Sequence, residues 1–142
     1  MPQRVTGLLA GLVVASLSTA IGGQQQFPDL AGFMLTVQRT STGVAVTCEA
    51  GCGWQSETPT VVTCTGRKPC LTMTDSRIGA KVTAEYAAFA VTVDVSSTGM
   101  ALACERGCAW KTREVDCESV TPCSVRISEF GVSRAKPGAK VQ

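Results

Sequence analysis

The stretch FMLTVQRTSTGVAVTCEAGCGW, Phe33 to Trp54, returns as FAVTVDVSSTGMALACERGCAW, Phe89 to Trp110, at a constant shift of 56 with 12 identities in 22 positions. Agreement at that level marks an internal duplication, so one unit is written twice and the two copies must be read together. Within each copy apolar residues recur at every second position. Phe33, Leu35 and Val37 alternate with Met34, Thr36 and Gln38, and Phe89, Val91, Val93 and Val95 alternate with Ala90, Thr92, Asp94 and Ser96. A period of two belongs to a strand with one buried face. Ser41-Thr42-Gly43 and Ser97-Thr98-Gly99 then turn the chain, glycine being the residue that readily supplies the positive φ of tight hairpins. A second strand follows, Val44 to Cys48 or Met100 to Cys104.

Beyond the tryptophans the match resumes at a shift of 53: Cys64 and Cys70 correspond to Cys117 and Cys123, and Pro69 and Pro122 precede the second cysteine of each pair. A third strand ends at Cys64 or Cys117 and a fourth begins at Cys70 or Cys123, which makes each copy a four-stranded meander. Val44, Val46 and Cys48 share a face, as do Met100, Leu102 and Cys104, Val62 and Cys64, and Val115 and Cys117, so these sulfurs point to the core side. The fourth strands differ. Leu71 and Met73 stand at odd positions after Cys70, Val125 and Ile127 at even positions after Cys123. A slip of one residue turns a strand over, so either a bulge distinguishes the copies or the register breaks there. The expected fold is all-β: two tandem four-stranded antiparallel Cys-rich units, repeat 1 over 33–79 and repeat 2 over 89–131, packed as a small sandwich or as two abutting sheets. The connector 80–88 suits a short strand or a helical turn, with Val82 and Tyr86 covering the joint between the sheets.

The flanks follow another logic. Arg4, an uncharged apolar run from Val5 to Leu17 and the small residues Ser18-Thr19-Ala20 have the form of a signal peptide over 1–20. The run is shorter than the ~20 residues that a membrane-crossing helix needs, so no stable membrane span is expected after cleavage. Residues 21–32 read as a flexible leader and 132–142 as a disordered basic tail.

The 142 residues carry 13 Lys plus Arg against 11 Asp plus Glu and no histidine. That balance offers no phosphate-tracking surface, which argues against nucleic acid. Without imidazole the commonest general base and metal ligand are missing. Eight cysteines in a short exported chain point to disulfides. Local pairing within each copy is expected, Cys48 with Cys52, Cys64 with Cys70, Cys104 with Cys108 and Cys117 with Cys123, while a crossed pattern such as Cys48 with Cys64 stays open. Four thiolates per copy also form a conceivable zinc set, although its Cys-x3-Cys spacing departs from the usual tighter knuckles.

The element Cys48-Glu49-x-Gly51-Cys52-x-Trp54, with its copy Cys104-Glu105-x-Gly107-Cys108-x-Trp110, resembles that of a group of uncharacterised bacterial exported proteins, in which Gly-Cys-x-Trp follows a strand ending in Cys. The resemblance covers Phe33 to Trp54 and Phe89 to Trp110. It implies an exported, bacterial protein and brings no activity with it; the signal-peptide pattern and the cysteines make the expected location secreted or periplasmic.

Trp54 and Trp110 are candidates to stack on a ligand, although a tryptophan two residues after a cysteine more commonly covers the disulfide. Glu49 and Glu105 are placed to pair with Arg106, Arg67 or a backbone amide, and neither has the second carboxylate that a glycosidase pair requires. Alternating Ser and Thr suit a solvated sheet face. The expectation is therefore a non-catalytic binding or structural module without a cofactor, engaging a protein, glycan or envelope component. The alternatives are a zinc- or redox-linked cysteine module and an inhibitor-like scaffold presenting the Cys48 to Trp54 loop.

Overall fold

A computed structural model describes residues 30–54 and 58–135 of the chain. The signal segment, residues 21–29 of the leader and residues 136–142 of the tail lie outside the described residues. Ten strands follow in order: β1 Met34–Arg39, β2 Gly43–Ala50, β3 Thr60–Thr63, β4 Leu71–Thr74, β5 Ile78–Gly79, β6 Ala90–Val95, β7 Gly99–Arg106, β8 Thr112–Asp116, β9 Ser124–Ser128 and β10 Gly131–Arg134. The described residues contain no helix. The fold is all-β, with two five-stranded antiparallel sheets of order β10-β9-β1-β2-β3 and β5-β4-β6-β7-β8.

The alternation in the first strand of each copy does what its period requires. Leu35, Val37, Val91 and Val93 are fully buried, and with Val44, Val46, Leu71, Met73, Leu102, Val125 and Ile127 they form one core lying between the two sheets. Phe33 and Phe89 stack at the pseudo-two-fold of the sandwich, their ring centroids 4.1 Å apart and their planes 20° from parallel. Fully burying an apolar side chain of this size contributes about 1.5–3 kcal/mol, so the shared core is the principal force joining the sheets.

The meander does not hold. β3 and β4 lie in different sheets. The fourth strand of copy 1 crosses over to pair with the first strand of copy 2, Leu71 opposite Val93 and Met73 opposite Val91. The fourth strand of copy 2 returns the exchange, Val125 opposite Val37 and Ile127 opposite Leu35. These two pairings are the same contact made twice, because β1 and β6 are copies and each offers the same free edge. Equivalent residues here are 54 apart, against 53 at the preceding cysteines, so the apparent overturning of the fourth strand is absorbed by Ser124, an extra residue between Cys123 and Val125.

Further differences lie at the flanks. Val132 to Arg134, expected in a disordered tail, form β10 with Gly131 on the edge of β9, because Val132 opposite Ile127 extends the sheet as Ile78 opposite Met73 does in the other copy. Ala31, at the end of the expected leader, is tied down: its N–H donates to Gly107 O at 3.1 Å, and its side chain packs against the core. The connector 80–88 forms turns rather than strand or helix, and Tyr86 is 91% exposed, so it does not cover the joint. Gly43 and Gly99 have no positive φ. They are needed because a Cβ there would stand 1.9 Å from Val62 O or Val115 O of the neighbouring strand.

Candidate functional site

The stacking of Phe33 on Phe89 brings the starts of β1 and β6 together, and with them everything that adjoins those starts. One end of the sandwich therefore carries both Gly-Cys-x-Trp loops, the β4–β5 and β9–β10 turns, the connector and the last described residues of the leader. The opposite end carries the Ser-Thr-Gly turns and the Cys64–Cys70 and Cys117–Cys123 bridges, with Cys64 N donating to Thr42 O and Cys117 N to Thr98 O.

Each loop is built the same way. Gly51 and Gly107 adopt φ of 84° and 82°. A Cβ would lie 2.3 Å from Gly32 O at the first and 2.5 Å from Ala88 O at the second, so both conformation and space demand glycine. The disulfides Cys48–Cys52 and Cys104–Cys108, each with Cα atoms 6.2 Å apart, close the turn. Gly53 N then donates to Asp75 O at 2.6 Å and Ala109 N to Glu129 O at 2.7 Å. Trp54 Nε1 donates to Thr74 O at 2.7 Å and Trp110 Nε1 to Ser128 O at 2.8 Å. Thr74 and Ser128 end β4 and β9, each in the sheet opposite the loop that reaches it, so each indole fastens one sheet to the other. Trp110 is buried, while Trp54 keeps part of its ring in solvent.

All eight cysteines are bonded in pairs, Cys64 with Cys70 and Cys117 with Cys123 completing the local set. In this state no thiolate is available for zinc or for redox exchange, and among the described residues no group of three or more His, Cys, Asp or Glu is arranged to hold a metal ion. Four disulfides in a domain of this size belong to an oxidising environment. No helix among the described residues is long and apolar enough to cross a membrane.

Several charged groups are occupied with structure. Glu49 accepts from Thr36 Oγ1 at 2.8 Å and pairs with Arg126 at 3.1 Å on the outer face of the first sheet. Arg106, expected as a partner for these glutamates, instead donates to Ala84 O and Ala87 O at 3.4 Å and holds the connector. Asp75 Oδ1 accepts Ala88 N, Asp94 Oδ1 accepts Cys70 N, and Glu129 Oε2 accepts Phe33 N. Thr72 and Thr74 are buried rather than solvated. Thr74 Oγ1 donates to Arg77 O at 3.1 Å and accepts from Arg77 N at 3.0 Å, which closes the turn beside it.

Two aromatic residues at this end were not singled out as contact residues by their motifs. Tyr86 and Phe130 are 91% and 71% exposed. Both break the repeat, because Leu30 stands where the copy of Tyr86 would be and Ser76 where that of Phe130 would be. That mismatch was the available signal. Beside Tyr86 an open depression of about 840 Å³ is lined by Thr74, Ser76, Arg77, Lys81 and Glu85 among others. Comparison with family models, with curated proteins and with solved structures finds no match to the chain.

Proposed function

We propose that the chain is an exported, non-catalytic binding module that presents the loop end of its disulfide-locked sandwich to a protein, glycan or envelope component outside the cytosol. The observation that carries this is the placing of aromatics. Phe33, Phe89 and Trp110 are buried and Trp54 is half-buried with its indole N–H bound to Thr74 O, while Tyr86 and Phe130 stand in solvent at one end of the molecule. Scattered exposed aliphatic residues are ordinary. Exposed aromatics gathered at a single end are what binding surfaces use, because a large rigid ring contributes contact at low entropic cost. Lysine and arginine do not dominate the same end, consistent with a partner other than nucleic acid.

Catalysis has little to work with there. The sequence has no histidine, the cysteines are bridged, and Glu49, Asp75 and Glu129 accept hydrogen bonds that hold the fold, which leaves Glu85 and Glu105 as the exposed carboxylates at this end among the described residues. The test is retention of the exported chain on envelope fractions and on immobilised glycans. Tyr86→Ala with Phe130→Ala is expected to reduce retention at least tenfold while leaving the unfolding transition in place. Unchanged retention of that double variant would reject the loop end as the contact surface.

A further inference from the structure

We propose that the two halves of the chain, β1–β5 and β6–β10, are mutual binding partners that hold together without a covalent link, and that each half accepts its mate equally from a second copy of the chain. Both sheets are mixed: β9 and β10 come from the second half to complete the sheet of β1, and β4 and β5 come from the first half to complete the sheet of β6. The core is common to both halves. Bonds across the division are distributed over its whole length, with Ala31 N to Gly107 O and Phe33 N to Glu129 Oε2 at one end. Toward the other end Arg39 N donates to Cys123 O, the Arg39 guanidinium to Ser96 O, and Cys70 N to Asp94 Oδ1. None of the four disulfides crosses the division, since each lies inside one half. The covalent link between halves is the connector, exposed at Ala80, Lys81, Thr83, Glu85, Tyr86 and Ala88.

A half without its mate would leave β1 or β6 as a bare edge and its share of the core wet, which is the condition that drives strand addition and exchange. The pseudo-two-fold makes each half present nearly the surface that it receives, Leu71 on Val93 being repeated as Val125 on Val37. Such a surface fits a matching half whichever chain supplies it.

The experiment places a site-specific protease sequence between Ala80 and Lys81 of the full chain and, in a second variant, between Glu85 and Tyr86, so that failure of one insertion to fold does not end the test. After cleavage, light scattering on a sizing column is expected to show one particle of the uncut mass, although a non-reducing denaturing gel shows two fragments. Cleaved protein of natural isotopic composition is then mixed with cleaved heavy-labelled protein, unfolded in denaturant with disulfides intact, and refolded. Native mass spectrometry is expected to find the four combinations of halves in equal amounts. Fragments that separate after cleavage, or refolding that returns only the two unmixed species, would overturn the proposal.

Discussion

At the scale of the residue, identical roles at equivalent positions make the duplication a built-in control. Gly51 and Gly107 combine a left-handed backbone with a neighbouring carbonyl inside the space of a Cβ, whereas Gly66 has the same φ of 82° with nothing within 4 Å. Gly66→Ala is therefore expected to cost only the conformational penalty, about 1–2 kcal/mol, and Gly107→Ala clearly more, measured as loss of stability in chemical denaturation. The tryptophans differ in burial although they make the same hydrogen bond. Trp110→Ala empties a buried site and should cost about 3–5 kcal/mol, and Trp54→Ala, whose ring is partly in water already, should cost less; equal losses would contradict the packing described. The Glu49–Arg126 pair sits half in solvent, with Arg126 50% exposed. A double-mutant cycle is expected to return a coupling of no more than about 1 kcal/mol, falling with added salt.

At the scale of the element, the decisive objects are the crossovers. Cys64 closes β3 in one sheet and Cys70 opens β4 in the other, six positions along the chain with Cα atoms 5.1 Å apart, and Cys117 and Cys123 repeat the device at 5.4 Å. Short loops give modest entropic stabilisation, about 2 kcal/mol each in the chain-entropy picture, but these two also pin the point at which the chain changes sheets. Cys64→Ser with Cys70→Ser should lower stability by roughly that amount, and hydrogen exchange should accelerate most at the amides of Leu71 to Thr74. A loss confined to β2 would show that the bridge does not govern the crossover.

At the scale of the molecule, both sheets depend on contacts remote in sequence, Thr36 lying opposite Arg126. A chain that ends before Ser124 lacks β9 and β10 and exposes Leu35 and Val37 along an open edge. It should fail to give a cooperative unfolding transition and should associate, as sedimentation would show. Pairings of this separation also favour slow folding, in the millisecond to second range typical of β sandwiches. On the intact chain, alkylation without reduction should add no mass tags and alkylation after reduction eight, one per cysteine; tags before reduction would contradict the bridged state.

Local chemistry was sufficient for much of this protein. Alternation from Phe33 to Val37 and from Phe89 to Val95 specified strands and their buried faces, and the repeat established two equivalent units. Which neighbour a strand takes was beyond its reach, because periodicity encodes inside and outside but carries no label for the partner. β1 and β6 are so alike that β4 and β9 find the same complement on either. Only the closed sandwich, with its shared core and its crossovers, assigns each fourth strand to the other copy. For the same reason the placing of Tyr86 and Phe130 at one end could not be read from the chain, since residues 44 positions apart reach the same end of the molecule only once the two halves have closed on each other.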